Sequence, residues 1–137
     1  MAAGAVAQII ELFSNGGRVI RFTVDNATAV PKGTLMCVTD ARTAAKQTTT
    51  TDAFCGVASA EKVANDGSTT LGLYTSGLFL LTSGAAFTAG EKVTCGAEEN
   101  KVIKIDNTGD LKGLVGVAYE TTGGDAETAC VYVGGGF

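Results

Sequence analysis

The chain has 137 residues, a common length for one domain around a single hydrophobic core. Hydrophobic residues make up 45% of the sequence, charged residues only 18%, and the formal net charge is −4. The ten Lys and Arg residues are scattered, so the sequence lacks the basic patch typical of nucleic-acid binding. No stretch approaches the roughly 20 apolar residues of a membrane-spanning helix. We therefore expect no nucleic-acid partner and no membrane partner.

The N-terminal segment 1–17 is predicted to form an apolar arm outside the main domain. Its apolar residues recur at helical spacing, so a short helix over 2–13 is one possibility. It lacks the basic leader of a signal peptide, and we expect no export signal. An apolar stripe at a chain terminus has no evident core to enter, so we expect it to form an interface with another molecule. The candidate interface residues are Ala5, Val6, Ile9, Ile10, Leu12 and Phe13.

The rest of the chain has the pattern of short β-strands separated by turns. Residues 18–24 alternate apolar and polar side chains, and 19 Gly against a single Pro favour tight turns. Nine strands are predicted, over residues 18–24, 34–39, 54–60, 69–74, 78–82, 91–95, 101–105, 114–119 and 128–133. Residues 41–47 are a second place where a short helix is possible. The polar run 46–52 is expected to be an exposed loop without an anchor in the core.

The sequence also repeats itself. Gly-Val-Ala occurs at 56–58 and again at 116–118. Four residues of one segment reappear at a constant offset near the C-terminus: Thr70, Tyr74, Gly77 and Phe79 return as Thr128, Tyr132, Gly135 and Phe137. We therefore predict an all-β fold, a compact antiparallel β-sandwich or barrel built from two similar halves, with an apolar N-terminal arm or short helix. The arm covers 1–17, and a single domain covers 18–137 with its halves at about 33–79 and 90–137.

Residues that carry out reactions are hard to find in this sequence. It contains no His, which removes the usual general base and most zinc sites. The segment 106–110 begins like a calcium loop but lacks the distal Glu, so a hairpin turn is expected. The four cysteines lie in apolar runs and are expected to be buried thiols, with disulfides left open. We predict no catalytic, cofactor-binding or metal-binding residue, no cofactor and no enzymatic activity.

Several segments resemble one family of viral proteins. They are Arg-Phe-Thr-Val at 21–24, Ala-Val-Pro-Lys-Gly-Thr-Leu at 29–35, Phe-Cys-Gly-Val-Ala at 54–58, Ala-Asn-Asp-Gly-Ser-Thr-Thr-Leu at 64–71 and Ala-Gly-Glu-Lys-Val at 89–93. Together they resemble the capsid decoration, or head cement, proteins of tailed phages and related viruses. Residues 68–79 are similar to a stretch of the lambda-like head-decoration proteins. The apolar arm is a departure, because the lambda-like proteins begin with a polar arm. Under this resemblance, the interface formed by the arm would be with the capsid or with a neighbouring subunit of an oligomer.

The resemblance implies a structural virion protein on the outer surface of the capsid. It would bind the viral head and stabilise contacts between subunits of the major capsid protein, its expected partner. Members of these groups often assemble as trimers, so the resemblance also implies a homo-oligomer. The alternative is another virion or surface module, such as a tail, fibre or adhesin domain, because the same β-rich composition would serve there.

Overall fold

The computed structural model describes residues 3–12, 19–50, 52–105 and 113–134, which form eleven β-strands and no α-helix. The strands are β1 Gln8–Glu11, β2 Val19–Thr23, β3 Leu35–Asp40, β4 Thr43–Lys46, β5 Ala53–Ala58, β6 Thr70–Tyr74, β7 Gly77–Ser83, β8 Lys92–Cys95, β9 Lys101–Lys104, β10 Leu114–Ala118 and β11 Thr128–Val133. All nine predicted strands are present, with ends that differ by no more than two residues. The predicted all-β class is therefore confirmed.

The strands form two closed five-stranded barrels. The first has the order β2-β4-β3-β5-β6, and in the second β7, β11, β10, β8 and β9 follow one another and close through the β7–β9 pairing. In both barrels the first strand pairs in parallel with the third, at β2–β4 and at β7–β9, and the other pairings are antiparallel. The two halves predicted from the repeat thus share one topology. In each half, a parallel strand pair that the sequence did not predict closes the barrel.

The register of the first strand shows that β2 is the counterpart of β7. Thr23 lies opposite Thr70 in the first barrel, and Thr82 lies opposite Thr128 in the second. The predicted ranges 33–79 and 90–137 begin after the first strand of each barrel. In the structure, the first half begins with β2 and the second half begins with β7. Phe79 belongs to β7 and hence to the second barrel, whereas Gly135 and Phe137 lie outside the described residues.

The repeated Gly-Val-Ala has a steric explanation. A Cβ atom on Gly56 would lie 2.7 Å from the carbonyl oxygen of Tyr74, and one on Gly116 would collide with the carbonyl oxygen of Tyr132. The two tyrosines occupy the same position in β6 and β11, the last strand of each barrel. Each barrel therefore keeps glycine at a position where the backbone of the neighbouring strand leaves no room for a Cβ atom.

Neither of the two possible helices forms in the described residues, because strand pairing overrides the local pattern. Within the arm, Gln8–Glu11 pairs with β7 as a strand, and the described part of 2–13 contains no helix. Within 41–47, a turn with positive φ (51°) at Arg42 leads directly into β4. Strand β4 closes the first barrel between β3 and β2.

The two barrels share part of their core. One buried cluster lies within the first barrel, and the larger one combines the second barrel with Leu35 and Val57 of the first. The prediction that 46–52 has no anchor is wrong, because Gln47 is fully buried at the junction. Its Nε2 donates to the carbonyl oxygens of Gly96 (2.7 Å) and Glu98 (3.1 Å) in the second barrel. The side chain of Gln47 thus holds the barrels together.

Among the described residues, no helix is long and apolar enough to cross a membrane.

Candidate functional site

The N-terminal arm, here residues 3–12, is fixed to both barrels. The N–H of Gly4 donates to the carbonyl oxygen of Glu99 (2.7 Å), and the N–H of Ala7 donates to that of Gly33 (2.7 Å). Gly33 precedes the first barrel's β3, whereas Glu99 precedes β9 of the second. Ala7 is only 8% exposed and belongs to the larger core cluster. The arm therefore completes the core, contrary to the expectation that it has no core to enter.

The structure divides the predicted interface residues between core and solvent. Leu12 packs against the larger core cluster, and Val6 is half-buried. Ala5, Ile9 and Ile10 are exposed, and Phe13 lies outside the described residues. Only the exposed members are free to contact another molecule.

Ile9 and Ile10 are the large apolar side chains of that exposed group. Ile9 lies opposite Phe79 and Glu11 lies opposite Leu78, so the register shifts at Ile10 and leaves it as a β-bulge. Ile9 is 38% exposed and Ile10 is 50% exposed. Both side chains are held in place by a paired strand, so an apolar contact here costs little ordering entropy.

Next to β1 lies an open cleft of about 310 Å³ where the arm meets both barrels. Its lining includes Ile9 of the arm, Val57 and Tyr74 of the first barrel and Phe79 of the second. The rings of Tyr74 and Phe79 contact each other, with centroids 6.1 Å apart. The lining is mostly apolar, with Gln8 and Lys32 as polar members, and it resembles a contact surface more than an enclosed ligand site.

A second exposed apolar surface lies on β2, which the sequence analysis did not single out. Val19 is 47% exposed and Ile20 is 39% exposed. Beside them, an N–H of the Arg42 guanidinium donates a hydrogen bond to the carbonyl oxygen of Arg21 (2.7 Å). The same guanidinium lies 6.0 Å from the ring centre of Phe22. The only sequence signal for this surface is that the chain's three arginines, Arg18, Arg21 and Arg42, all precede residue 43.

The cysteines are free thiols with suppressed reactivity. Burial, the main cause, raises the pKa of Cys37 to about 11 and the pKa values of Cys55 and Cys95 to about 12. Burial also raises the pKa of Cys130. Because the thiolate is the nucleophile and the metal ligand, these side chains are structural at neutral pH.

One largely buried charge cluster is centred on Lys101, which is 4% exposed. Its Nζ lies 2.9 Å from Oδ1 of Asp125 and 3.1 Å from Oε1 of Glu98. The hydrogen bond to Asp125 is the main cause that raises the pKa of Lys101. The lysine is therefore held in its charged form, as a structural ion pair.

In the described ranges, no three His, Cys, Asp or Glu side chains are grouped so that they could hold a metal ion. The predicted turn at 106–110 lies outside those ranges.

Comparison with known proteins decides the family. The model of the phage cement protein family matches residues 13–133. This chain belongs to the phage cement protein family. It is thus a structural protein associated with the phage capsid, and its place is in the virion, on the outside of the capsid. Residues 3–12 precede the match, so most of the predicted interface lies outside the segment that defines family membership.

A solved structure shares the fold of this cement protein. The head fiber gp8.5 N base of bacteriophage phi29 matches it with a TM-score of 0.51 and 16% identity, over 85% of this chain and 94% of that chain. None of the curated proteins matches the sequence.

Proposed function

We propose that this protein binds the outer surface of the phage head and stabilises the joints between subunits of the major capsid protein. The observation that carries the proposal is the family match over 13–133. A pressurised shell is weakest between capsomers, and a small rigid protein that touches several subunits strengthens those joints through many modest contacts. Two fused barrels with a shared core form such a rigid body.

The contact surface in this proposal includes the exposed apolar part of the arm. Ile9 and Ile10 present apolar area on a strand that is already ordered. We further propose that the protein acts as a homotrimer, in which the same pair of complementary surfaces repeats at each of the three subunit contacts. Light scattering on the isolated protein tests this, and a mass three times that of the monomer is expected.

The proposed role includes no chemical reaction. The sequence contains no His, and the pKa values of the cysteines are raised. The cleft beside β1 is open and mostly apolar, in keeping with a contact surface.

The test uses heads of the phage that lack this protein. Adding the purified protein should saturate their outer surface and raise the temperature at which they lose DNA, and cryo-electron microscopy should show added density at the joints. Binding without any gain in stability would contradict the cement role.

A second candidate is the base of a head fibre or of another projecting structure. The fold shared with the head fiber gp8.5 N base is the observation that favours this second function. At 16% identity, the likeness concerns the fold alone. Density on the tail or at the foot of a projecting fibre would support this candidate.

A further inference from the structure

Strands β2 and β7 are equivalent in the two barrels, but within the described chain one edge of β2 is unpaired over most of its length, whereas the same edge of β7 is covered. In the second barrel, β11 covers one edge of β7, and the opposite edge pairs with β1 at Leu78–Leu80 and with β9 from Thr82 onward. In the first barrel, β6 covers one edge of β2, and β4 meets the opposite edge only at Thr23. In the part of the chain that the structure describes, no strand occupies the place on β2 that β1 occupies on β7.

Side-chain exposure follows the same difference. Ile20 and Phe79 are counterparts, since Ile20 pairs with Leu73 of β6 and Phe79 pairs with Val131 of β11. Phe79 is fully buried where β1 lies beside it, whereas Ile20 is 39% exposed. Strand β2 therefore has the uncovered apolar position that an added strand covers in the second barrel.

The backbone of β2 also presents hydrogen-bonding groups at this edge. The N–H of Val24 points to β6 and donates to Thr69 (2.9 Å), while that of Thr23 points to the other side and donates to Arg42 (2.7 Å). Because these directions alternate along a strand, the N–H groups of Val19 and Arg21 face the open edge. The carbonyl oxygen of Arg21 faces it too and accepts the guanidinium of Arg42.

Charge indicates what kind of strand fits. Arg21 and Arg42 are both exposed at this edge, in a chain whose net charge is −4. A partner segment with an acidic side chain beside them would be attracted, and its backbone would replace the Arg42 guanidinium at the Arg21 carbonyl. Antiparallel pairing of β2 with β2 of a second copy, centred on Arg21, would instead oppose two arginines. The arm of a second copy is already engaged on its own β7.

We propose that the open edge of β2 accepts an extended acidic segment of the major capsid protein as an added strand. An apolar side chain of that segment would lie against Ile20, and an acidic one would lie against Arg21 and Arg42. The inference rests on the proposed function, since it names the capsid contact.

The experiment follows amide hydrogen exchange of the full chain, free and bound to heads that lack it. Exchange at Val19 and Arg21 should slow at least about tenfold on binding, whereas Ile20 and Phe22, which face β6, should change little. This alternation locates the protection at the open edge, and the Arg21→Pro variant then distinguishes a hydrogen-bonded strand from simple burial of that edge.

Two variants test the edge and its charge separately. Arg21→Pro removes an N–H that faces away from β6, so the protein should fold and bind heads about tenfold more weakly than Arg21→Ala, which removes the same charge but keeps the N–H. Arg21→Glu should weaken binding at low salt by a similar factor, and Lys104→Glu, the same charge change on an exposed residue of β9, should not.

The outcomes separate this inference from the function on which it rests. If the wild-type protein fails to bind heads, the proposed function is wrong. If it binds while exchange at Val19 and Arg21 is unchanged and Arg21→Pro binds as tightly as Arg21→Ala, only the strand-acceptor inference is wrong. If these amides become protected in the free protein as its concentration rises, a second copy is the occupant and the capsid segment is excluded.

Discussion

Asn100 donates its backbone N–H to Oε1 of Gln47 at 2.9 Å, and this bond joins the two barrels. The N–H of Gln47 donates to the carbonyl oxygen of Leu35 (2.9 Å), and the N–H of Leu35 donates to Oδ1 of Asn100 (2.9 Å). The three residues thus form a closed ring of buried hydrogen bonds. A positive φ (62°) at Asn100 orients it for this contact at the start of β9.

Gln47→Leu should lower the free energy of unfolding by about 3 kcal/mol, because the N–H of Asn100 and two carbonyl oxygens lose their buried partner. Urea unfolding measures this. Gln8→Leu, on an exposed residue of β1, is the matched control and should change stability by less than about 0.5 kcal/mol. Equal effects of the two changes would mean that the ring does not hold the barrels together.

Gly116→Ala should destabilise the protein by at least about 2 kcal/mol, because the added Cβ collides with the carbonyl oxygen of Tyr132. Thermal unfolding reports the loss. Gly124→Ala is the control, since a Cβ there would meet no atom within 4 Å, and its effect should stay within about 1 kcal/mol. A harmless Gly116→Ala would refute the steric account of the repeated glycine.

The thiols should react slowly in the folded protein. At pH 8 an aromatic disulfide reagent should titrate four thiols after unfolding in denaturant, with Cys37, Cys55 and Cys95 reacting far more slowly in the native state. The raised folded pKa values give stability that is complete below the ordinary thiol value of 9.0 and declines as the pH rises toward 11 to 12. Fewer than four thiols after unfolding would reveal a disulfide.

Asp52 should make stability depend on acid pH. Burial acts to raise the pKa of its carboxyl, but N–H groups of Thr48 (2.8 Å) and Thr49 (3.1 Å) donate to it and bring the pKa below its ordinary value of 3.8. A lowered folded pKa gives stability that is present above pH 3.8 and is lost as the pH falls through the folded value. Asp52→Asn should therefore cost about 1 kcal/mol at pH 7 and progressively less as the pH falls below 3.8. A cost independent of pH, measured by urea unfolding, would exclude this role.

The exposed arm should matter for binding more than for folding. Ile10→Glu places a charge on a bulged, half-exposed residue, so the protein should stay folded while its occupancy on heads falls at least about tenfold. Val63→Glu is the control: it also replaces an exposed apolar side chain with Glu, but at a residue of the first half that lies outside the arm and is 57% exposed. A point change is the sharper test because deletion of the arm would also remove Ala7 and Leu12 from the core. Full occupancy of Ile10→Glu would remove the arm from the proposed interface.

Local sequence was enough to identify nine of the eleven described strands, the all-β class and the duplication. Alternating side chains and turn residues are signals that span only a few residues, and a pleated strand requires this alternation wherever it lies in the fold. The repeated Gly-Val-Ala is equally local, because Gly56 and Gly116 each lie close to the backbone of a neighbouring strand. The family resemblance, which the match over 13–133 confirms, depends on the same segments.

Tertiary structure alone decided the pairings between distant residues. The arm has a helical pattern but becomes a strand because β7 offers it an edge, and 46–52 is polar yet supplies Gln47 to the junction because Asn100 and Gly96 present complementary groups. Closure of each barrel by a parallel pair, and the difference between the covered edge of β7 and the open edge of β2, likewise depend on partners far away in sequence. The hydrogen-bonding groups of a strand edge are the same in every sequence, so only the assembled fold determines which edge is paired and which is left open.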